Sequence, residues 1–321
     1  MDLIFHDSIF DPMEDAVDDV AFLADTIFTT EDDVWSFGFY SEDIGAVYSE
    51  NAVSRAIHFT TDGGQTWVTK TAPDNSRVRD IEFSTATVLF AASDNGVFRS
   101  EDQGDSWVSL SSFTGSDDVT LFETTSFIME SQFSIDGLDW EEYSIDGTGI
   151  DSWRSGTLDA ATFFNEDIAF AFFRDIGNGN MFLGQTNNGG AAWTLKSQPL
   201  NRSVRSISFV NEEVGFAVGD FDGLVSTKDG GTTWQVADEG TDAYFVHVND
   251  DLGFVLFQFA TFSIDGGETW EPIMDMENDV PISWSVGSGA SGQGMGNIVF
   301  VTDGANGGNV VKFDLEQFQD N

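Results

Sequence analysis

The segment Thr60-Thr61-Asp62-Gly63-Gly64-Gln65-Thr66-Trp67 decides the fold, because its pattern of Ser/Thr, Asp, Gly, Thr/Ser and Trp recurs along the chain. Two further copies are degenerate: Thr186–Trp193 carries Asn188 and Ala192 at the Asp and Thr positions, and Ser134–Trp140 is one residue short. The remaining copies are Ser100–Trp107, Thr227–Trp234 and Ser263–Trp270. Six copies of one short motif indicate a repeat architecture.

The motif spacing is typical of propeller blades. The tryptophans at positions 67, 107, 140, 193, 234 and 270 lie 40, 33, 53, 41 and 36 residues apart. A four-stranded blade takes about 40–45 residues. The longest interval holds an insertion around Tyr143–Gly156, which contains a stray Ser144-Ile145-Asp146-Gly147.

Short alternating runs precede the motifs, as in Val78–Phe83 and Val204–Phe209, and this period of two predicts β-strands. We therefore predict an all-β fold, with residues 1–321 forming a single β-propeller domain. Residues 1–30 are predicted to form an N-terminal arm whose strand closes the last blade, because closure removes an exposed sheet edge. Seven four-stranded blades are predicted, at 34–70, 78–110, 117–142, 158–196, 204–237, 243–273 and 283–315.

Turn chemistry accounts for every residue of the motif. Glycine adopts the positive φ of a tight hairpin, while the Asp carboxylate and the Ser/Thr hydroxyl bond locally to the backbone. Each Trp covers its blade with about 200 Å² of mostly apolar surface. A calcium role is not expected, since Ca²⁺ takes about 6–8 oxygen ligands. The residues assigned this structural role are Asp62, Trp67, Asp102, Trp107, Asp136, Trp140, Trp193, Asp229, Trp234, Asp265 and Trp270.

Over roughly residues 34–273 the chain resembles the Asp-box, or bacterial neuraminidase repeat, superfamily of β-propellers. The stretch 204–234 is most similar to photosystem II assembly-factor-like propellers, while sialidases and sortilin-type receptors share the motif. The resemblance implies boxes on the outer rim and ligands near the central channel. It does not imply an activity, because one fold hosts many functions.

A sialidase-like hydrolase is one alternative. Sialidases that resemble this repeat use three arginines on the substrate carboxylate, a Tyr nucleophile with a Glu partner, and an Asp acid. The early Arg-Ile-Pro type of segment is missing here, and with 56 acidic residues close carboxylate pairs arise by chance. We therefore predict a non-enzymatic protein without catalytic residues.

Acidic side chains dominate the composition. Against 56 Asp and Glu there are 12 Lys and Arg, so the formal net charge is −44. Such a charge repels itself in dilute buffer, whereas molar salt shortens the Debye length to about 3 Å. Because the acids are dispersed and not grouped in a tail, they indicate adaptation to high salt. Nucleic-acid binding is not expected, since phosphates require Lys and Arg.

Four arginines occupy matching places in two predicted blades, in Asn75-Ser76-Arg77-Val78-Arg79 and in Asn201-Arg202-Ser203-Val204-Arg205. Each set precedes a predicted innermost strand, near the mouth of the channel. One interpretation is that they bind a carboxylate, a sulfate or an acidic partner. The other, favoured by the number of acids, is that each pairs with a neighbouring blade. The candidate binding residues are Arg77, Arg79, Arg202 and Arg205.

Other sites are not expected. The chain has no Cys and its three His are scattered, so no metal and no cofactor are predicted. The start, Met1-Asp2-Leu3-Ile4, has no basic region or long apolar stretch, which argues against a secretion signal and membrane insertion.

Three functions remain open. The first is a binding or assembly propeller of a virion, as a head decoration, turret or tail component, located in the virion or the cytoplasm of a halophile. It would be a homo-oligomer with protein partners in a large assembly and a host-surface glycan as a further ligand. The second is a cellular assembly-factor or adhesion propeller with a specific protein partner. The third is the sialidase-like hydrolase.

The charge generates a testable prediction. The unfolding temperature is expected to fall steeply as salt drops below about 1 M, because weaker screening restores repulsion among the acids. Circular dichroism melts over a KCl series measure this. Full thermal stability in dilute buffer would show that the interpretation as a high-salt protein is wrong.

Overall fold

The computed structural model describes most of the chain from Asp25 onwards, in strands and short turns. The described residues are 25–110, 120–122, 126–129, 132–134, 141–142, 144–146, 158–164, 167–174, 180–196, 204–219, 223–238, 243–249, 251–256, 260–275, 280–281, 292–302 and 308–318.

The strands follow one another in antiparallel sheets, each running from an inner strand to an outer one. The first three blades are blade 1, with β2 (Asp33–Phe39), β3 (Gly45–Glu50), β4 (Arg55–Thr60) and β5 (Val68–Thr71); blade 2, with β6 (Val78–Phe83), β7 (Leu89–Ser93), β8 (Gly96–Ser100) and β9 (Val108–Ser109); and blade 3, with β10 (Thr120–Phe122), β11 (Ser126–Met129), β12 (Gln132–Ser134) and β13 (Glu141–Glu142).

A five-stranded sheet comes next, and three more blades complete the fold. The five-stranded sheet has β14 (Ser144–Asp146), β15 (Leu158–Phe163), β16 (Ile168–Arg174), β17 (Met181–Asn187) and β18 (Ala192–Leu195); blade 4 has β19 (Val204–Phe209), β20 (Gly215–Gly219), β21 (Leu224–Thr227) and β22 (Gln235–Asp238); blade 5 has β23 (Phe245–Val248), β24 (Gly253–Leu256), β25 (Ala260–Ser263) and β26 (Glu271–Pro272); and blade 6 has β29 (Gly292–Met295), β30 (Ile298–Thr302), β31 (Gly308–Asp314) and β1 (Asp25–Thr30).

Short elements fill the remaining connections. They are a two-stranded ribbon of β27 (Met274–Asp275) and β28 (Val280–Pro281), and 3₁₀ turns at Pro73–Asn75 and Leu315–Phe318.

The prediction of seven four-stranded blades is wrong: the described residues form six four-stranded blades. The sheet that departs from the pattern is the predicted blade at 158–196. The insertion noted before it supplies β14, which pairs in parallel with β18, Ser144 opposite Ala192 and Asp146 opposite Thr194. An added parallel strand on the outer edge turns an antiparallel four-stranded blade into a mixed sheet of five strands.

The first and last strands of the described residues meet in blade 6. There β1 pairs with β31 as the outermost strand, with Thr30 opposite Gly308, while residues 1–24 lie outside the described part of the chain. Gln293 on the innermost strand β29 bonds blade 1: its Oε1 accepts from the Phe39 N–H at 2.7 Å, and its Nε2 donates to the Phe39 carbonyl at 3.0 Å. The ring of sheets is therefore closed by both chain ends.

The four complete Asp boxes close their outer hairpins through the same hydrogen bonds. In blade 4 the Thr227 hydroxyl donates to Asp229 Oδ1 at 2.9 Å and accepts from the Gly231 N–H at 2.8 Å. The Asp229 carboxylate also accepts from the Thr233 N–H and hydroxyl, at 2.8 and 2.7 Å. These bonds stabilise the ionised carboxylate and lower its pKa. The boxes at Asp62, Asp102 and Asp265 repeat this arrangement.

The degenerate box keeps this geometry without a charge. Asn188 Oδ1 accepts from the Thr186 hydroxyl and the Ala192 N–H, both at 2.9 Å. An amide oxygen replaces one carboxylate oxygen, and Ala192 removes the hydroxyl that the second oxygen would bind. Trp193 is fully buried, so this copy of the motif still contributes its tryptophan to the core.

Each box also packs on the preceding sheet. Gly231 has φ +80°, and a Cβ there would lie 2.0 Å from Leu183 Cδ2 in the five-stranded sheet, so this contact requires glycine. Phenylalanines at the ends of inner strands stack on the preceding sheet in the same way. Phe209 lies 4.2 Å from Phe170, and Phe39 lies 3.9 Å from Phe300, between ring centroids. These contacts explain why the chain is rich in Phe.

The indole of Trp67 anchors the N-terminal strand β1, and this gives a prediction. Its Nε1 donates to the carbonyls of Ile27 and Gly64, both at 3.0 Å, whereas Trp234 Nε1 has no hydrogen-bond partner among the described residues. Trp67→Phe is therefore expected to cost about 1 kcal/mol more free energy of unfolding than Trp234→Phe.

Chemical denaturation of both variants in molar salt measures this difference, since the two substitutions remove the same ring area. Equal costs would contradict the anchoring of β1 by Trp67.

Candidate partner-binding face

The inner strands begin at one end of the sheets, and four of them contain the same irregularity there. The ladder shifts register between Val34 and Ser36, between Val78 and Asp80, between Leu158 and Ala160, and between Val204 and Ser206. A β-bulge releases one residue from pairing and redirects its side chain. The released residues are Trp35, Arg79, Asp159 and Arg205. We call the end that carries them the bulge face.

A buried carboxylate holds two arginines on the bulge face. The side chain of Glu50 is only 8% exposed. Its Oε1 accepts from Arg77 Nε at 2.6 Å, and its Oε2 accepts from Arg55 Nε at 3.1 Å and from the Tyr48 hydroxyl at 2.9 Å. Burial raises the pKa of Glu50, but these donors together outweigh it and leave the pKa below its usual range. Because two cations share one carboxylate, the group retains a positive charge.

The backbone before Arg77 is also fixed. Asp74 and Asn75 both have a positive backbone φ, of 47° and 57°. Residues other than glycine adopt this conformation at some cost in energy. The Asp74 carboxylate accepts from the Ser76 hydroxyl at 2.5 Å, and the Asn75 carbonyl accepts from Arg55 at 2.8 Å. The guanidinium of Arg77 lies 4.2 Å from the centre of the Trp35 ring. Arg77 is therefore held in one orientation.

The other predicted arginines differ in their surroundings. Arg79 is more than a third exposed, and its Nε lies 2.6 Å from Asp94 Oδ1. Arg205 lies 4.8 Å from the centre of the Tyr244 ring. Arg202 lies outside the described residues, as do Asp136 and Trp140 of the short box. The structure thus places Arg79 and Arg205 at equivalent bulge positions of blades 2 and 4, and Arg77 lies two residues before the first of them.

An exposed apolar turn lies beside the group of Glu50, Tyr48, Arg55 and Arg77, which we call the Glu50 cluster. Val53, on the turn between β3 and β4, is 94% exposed. Asn51 Oδ1 accepts from the N–H groups of Val53 and Ser54 at 2.8 and 2.9 Å, and its amide donates to Asp32 at 2.7 Å. The turn is therefore braced, and it presents a preformed apolar contact.

The Tyr48–Glu50 pair contains the residue types of a sialidase nucleophile with its partner. Its geometry does not suit that chemistry, because Tyr48 is fully buried and cannot reach a bound sugar. Burial and the hydrogen bond to Glu50 raise its pKa, whereas a nucleophile requires a lowered one.

Sequence reasoning missed Trp35, Tyr244 and the Glu50 cluster. An alignment of Val34-Trp35-Ser36 with Val78-Arg79-Asp80 and Val204-Arg205-Ser206 would have located the bulge positions. Glu50 lies 27 residues before Arg77, and no local signal in the sequence links the two. Within the described part of the chain, no group of three or more His, Cys, Asp or Glu could hold a metal ion.

The sheets and boxes together define a class: the chain is a β-propeller whose outer hairpins carry Asp-box turns. The family model of the photosynthesis system II assembly factor YCF48 matches residues 185–286. No curated protein sequence matches the chain.

Solved structures share the fold at low sequence identity. YCF48 from Cyanidioschyzon merolae has a TM-score of 0.66 at 20% identity, over 92% of this chain and 99% of its own. A YCF48 bound to D1 peptide has a TM-score of 0.63 at 14% identity, over 90% and 94%. Virginiamycin B lyase from Staphylococcus aureus has a TM-score of 0.64 at 11% identity, over 91% and 98%. At these identities the likeness extends to the fold alone.

These comparisons favour the assembly-factor interpretation of the sequence over the virion one, for which they offer no support. Among the described residues, no helix is long and apolar enough to span a membrane.

Proposed function

We propose that the protein is a non-enzymatic assembly factor that holds a segment of a protein partner on its bulge face. The observation that carries this proposal is the repeated β-bulge, which aims Arg79 and Arg205 at the same end of two blades. Bulges are common beside binding sites, where they redirect side chains. The match of residues 185–286 to the YCF48 family supports the same function.

The chemistry of the face suits an extended segment with a carboxylate. A guanidinium binds a carboxylate through two parallel hydrogen bonds, and its charge is conspicuous on a protein of net charge −44. Trp35 and Tyr244 add aromatic surface, and Val53 adds an apolar contact at the edge. Aromatic residues and arginine are the residues that most often dominate binding energy at interfaces.

The bound relative suggests the kind of partner. That YCF48 is bound to a D1 peptide, and the present chain would receive a peptide segment of a protein partner in the same general way. The arginines anchored by Glu50 are preorganised, so binding would not need to order them first.

Peptide binding tests the function. A fluorescently labelled D1 peptide, with its terminal carboxylate either free or amidated, is titrated into the protein in molar KCl and followed by anisotropy. Arg79→Ala with Arg205→Ala is expected to weaken binding of the free-carboxylate peptide by about tenfold or more, since each charged hydrogen bond contributes about 1.5–3 kcal/mol. The amidated peptide is expected to bind more weakly and to be less sensitive to this change.

Two variants control for general effects. Arg99→Ala removes an arginine that pairs with Glu101 within blade 2, away from the bulge positions, and should leave binding within about twofold. Val53→Asp should weaken binding, while Val236→Asp, at a valine 62% exposed on an outer strand, should not. Unchanged affinity of the double arginine variant would refute the proposed site.

A further inference from the structure

The junctions between inner strands require small or precisely bonded residues. In blade 4 the Ser208 hydroxyl donates to the Val248 carbonyl at 3.2 Å and accepts from the Val248 N–H at 2.9 Å. Ser206 bonds Val246 in the same manner. The second and fourth residues after the first valine of the inner strand therefore bond the backbone of the next inner strand.

Blade 1 meets the same requirement with glycine. A Cβ on Gly38 would lie 2.2 Å from the Ile81 carbonyl oxygen on β6, so no side chain fits there. Ser36, two residues earlier, donates its hydroxyl to the Val78 carbonyl at 3.4 Å. The junctions on either side of blade 2 can therefore be compared position by position.

Blade 2 has neither serine nor glycine at these junction positions. The positions of Ser206 and Ser208 are occupied there by Asp80 and Glu82, two carboxylic acids at the register positions that meet the next inner strand, which for blade 2 is β10. Asp80 Oδ1 accepts from the Ile81 N–H at 3.0 Å, but no described residue donates a hydrogen bond to the Glu82 carboxyl. Two carboxylates side by side repel one another, and a partly buried one without donors is costly to ionise.

No described residue offers the Glu82 carboxyl a compensating charge. On β6 itself the charged neighbours are Arg79, which pairs with Asp94, and Asp80. On the packed strands β7 and β10 no residue has an ionisable side chain. The remaining charged groups on packed or nearby strands are Asp33 at the far end of β2, Glu50 in its arginine cluster on β3, and Arg99 on β8, which pairs with Glu101.

We propose that Asp80 and Glu82 form a proton-controlled joint between blades 2 and 3, which is closed while Glu82 carries its proton and loosens when Glu82 ionises. The protonated carboxyl can donate a hydrogen bond across the junction, as the serines do between blades 4 and 5. The ionised one loses that donor and faces the charge of Asp80. The joint lies in the inner ring, so its loosening would change the spacing of the bulge face.

The sign of the pH dependence follows from the same contacts. Burial, and then the Asp80 charge, raise the pKa of Glu82 well above its usual value. A raised carboxyl pKa means that the folded state holds the proton more tightly than the unfolded one. The stability that protonated Glu82 contributes is therefore fully present below the pKa of the unfolded state. It is lost as the pH rises through the pKa of the folded state.

Hydrogen–deuterium exchange of the full chain in molar KCl tests the joint, with wild type compared with Glu82→Gln at each pH. The variant keeps a neutral donor of the same shape. At about pH 5 the two proteins should exchange alike, while at about pH 8 or higher, above the usual pKa range of a carboxyl group, wild type should exchange at least severalfold faster in Val78–Phe83 and Thr120–Phe122. The junction of β19 with β23 is the internal control and should not change.

Asp80→Asn provides a second test that keeps Glu82 titratable. Removing the neighbouring charge makes ionisation of Glu82 easier, so the rise in exchange should move to lower pH. Wild type and Glu82→Gln that exchange alike at every pH would overturn the proposal, as would an Asp80→Asn profile that coincides with wild type.

Discussion

The hydrogen-bonded Asp box is the constraint on which the rest of the structure depends. Its carboxylate and hydroxyl close the outer hairpin, and its glycine N–H reaches the inner turn of the same sheet, as when Gly230 donates to the Glu213 carbonyl at 2.9 Å. The box thereby connects the two halves of a sheet that are distant in sequence. Its tryptophan and second glycine then seat that sheet on the preceding one. Local turn chemistry thus sets both the shape of each sheet and its contact with the next.

Because the boxes stabilise one end of the sheets, the residues at the opposite end are free to vary. The boxes occupy one end, and at the other end a bulge releases one residue from pairing in each of four inner strands. The fold needs nothing particular there, so the same position holds Trp35, Arg79 or Arg205. Lys228 and Lys312 serve another purpose, since they bridge neighbouring sheets through Glu268 and Glu42. Arginines at the bulge face are therefore the cations best placed to meet a partner.

The sequence predicted those features that local chemistry controls. Repeated Asp, Gly and Trp residues indicated an all-β propeller, because each copy carries its own turn. The number of four-stranded blades was wrong because β14 joins its sheet through a parallel pairing that no local pattern encodes. The arginine positions were visible as a repeat, whereas their anchoring by Glu50 depends on contacts between blades. Composition suggested a protein adapted to high salt, yet charge reports on solvent and solubility and not on the partner.

The central claim is that a partner segment binds at the bulge face. The most direct measurement is hydrogen–deuterium exchange of the full chain in molar salt, with and without a saturating D1 peptide. The account predicts protection at the starts of the inner strands, around residues 34–36, 77–80 and 204–206, and on the turn at 51–54. Protection confined to the box turns at 60–67 and 227–234, with the bulge face unchanged, would contradict it.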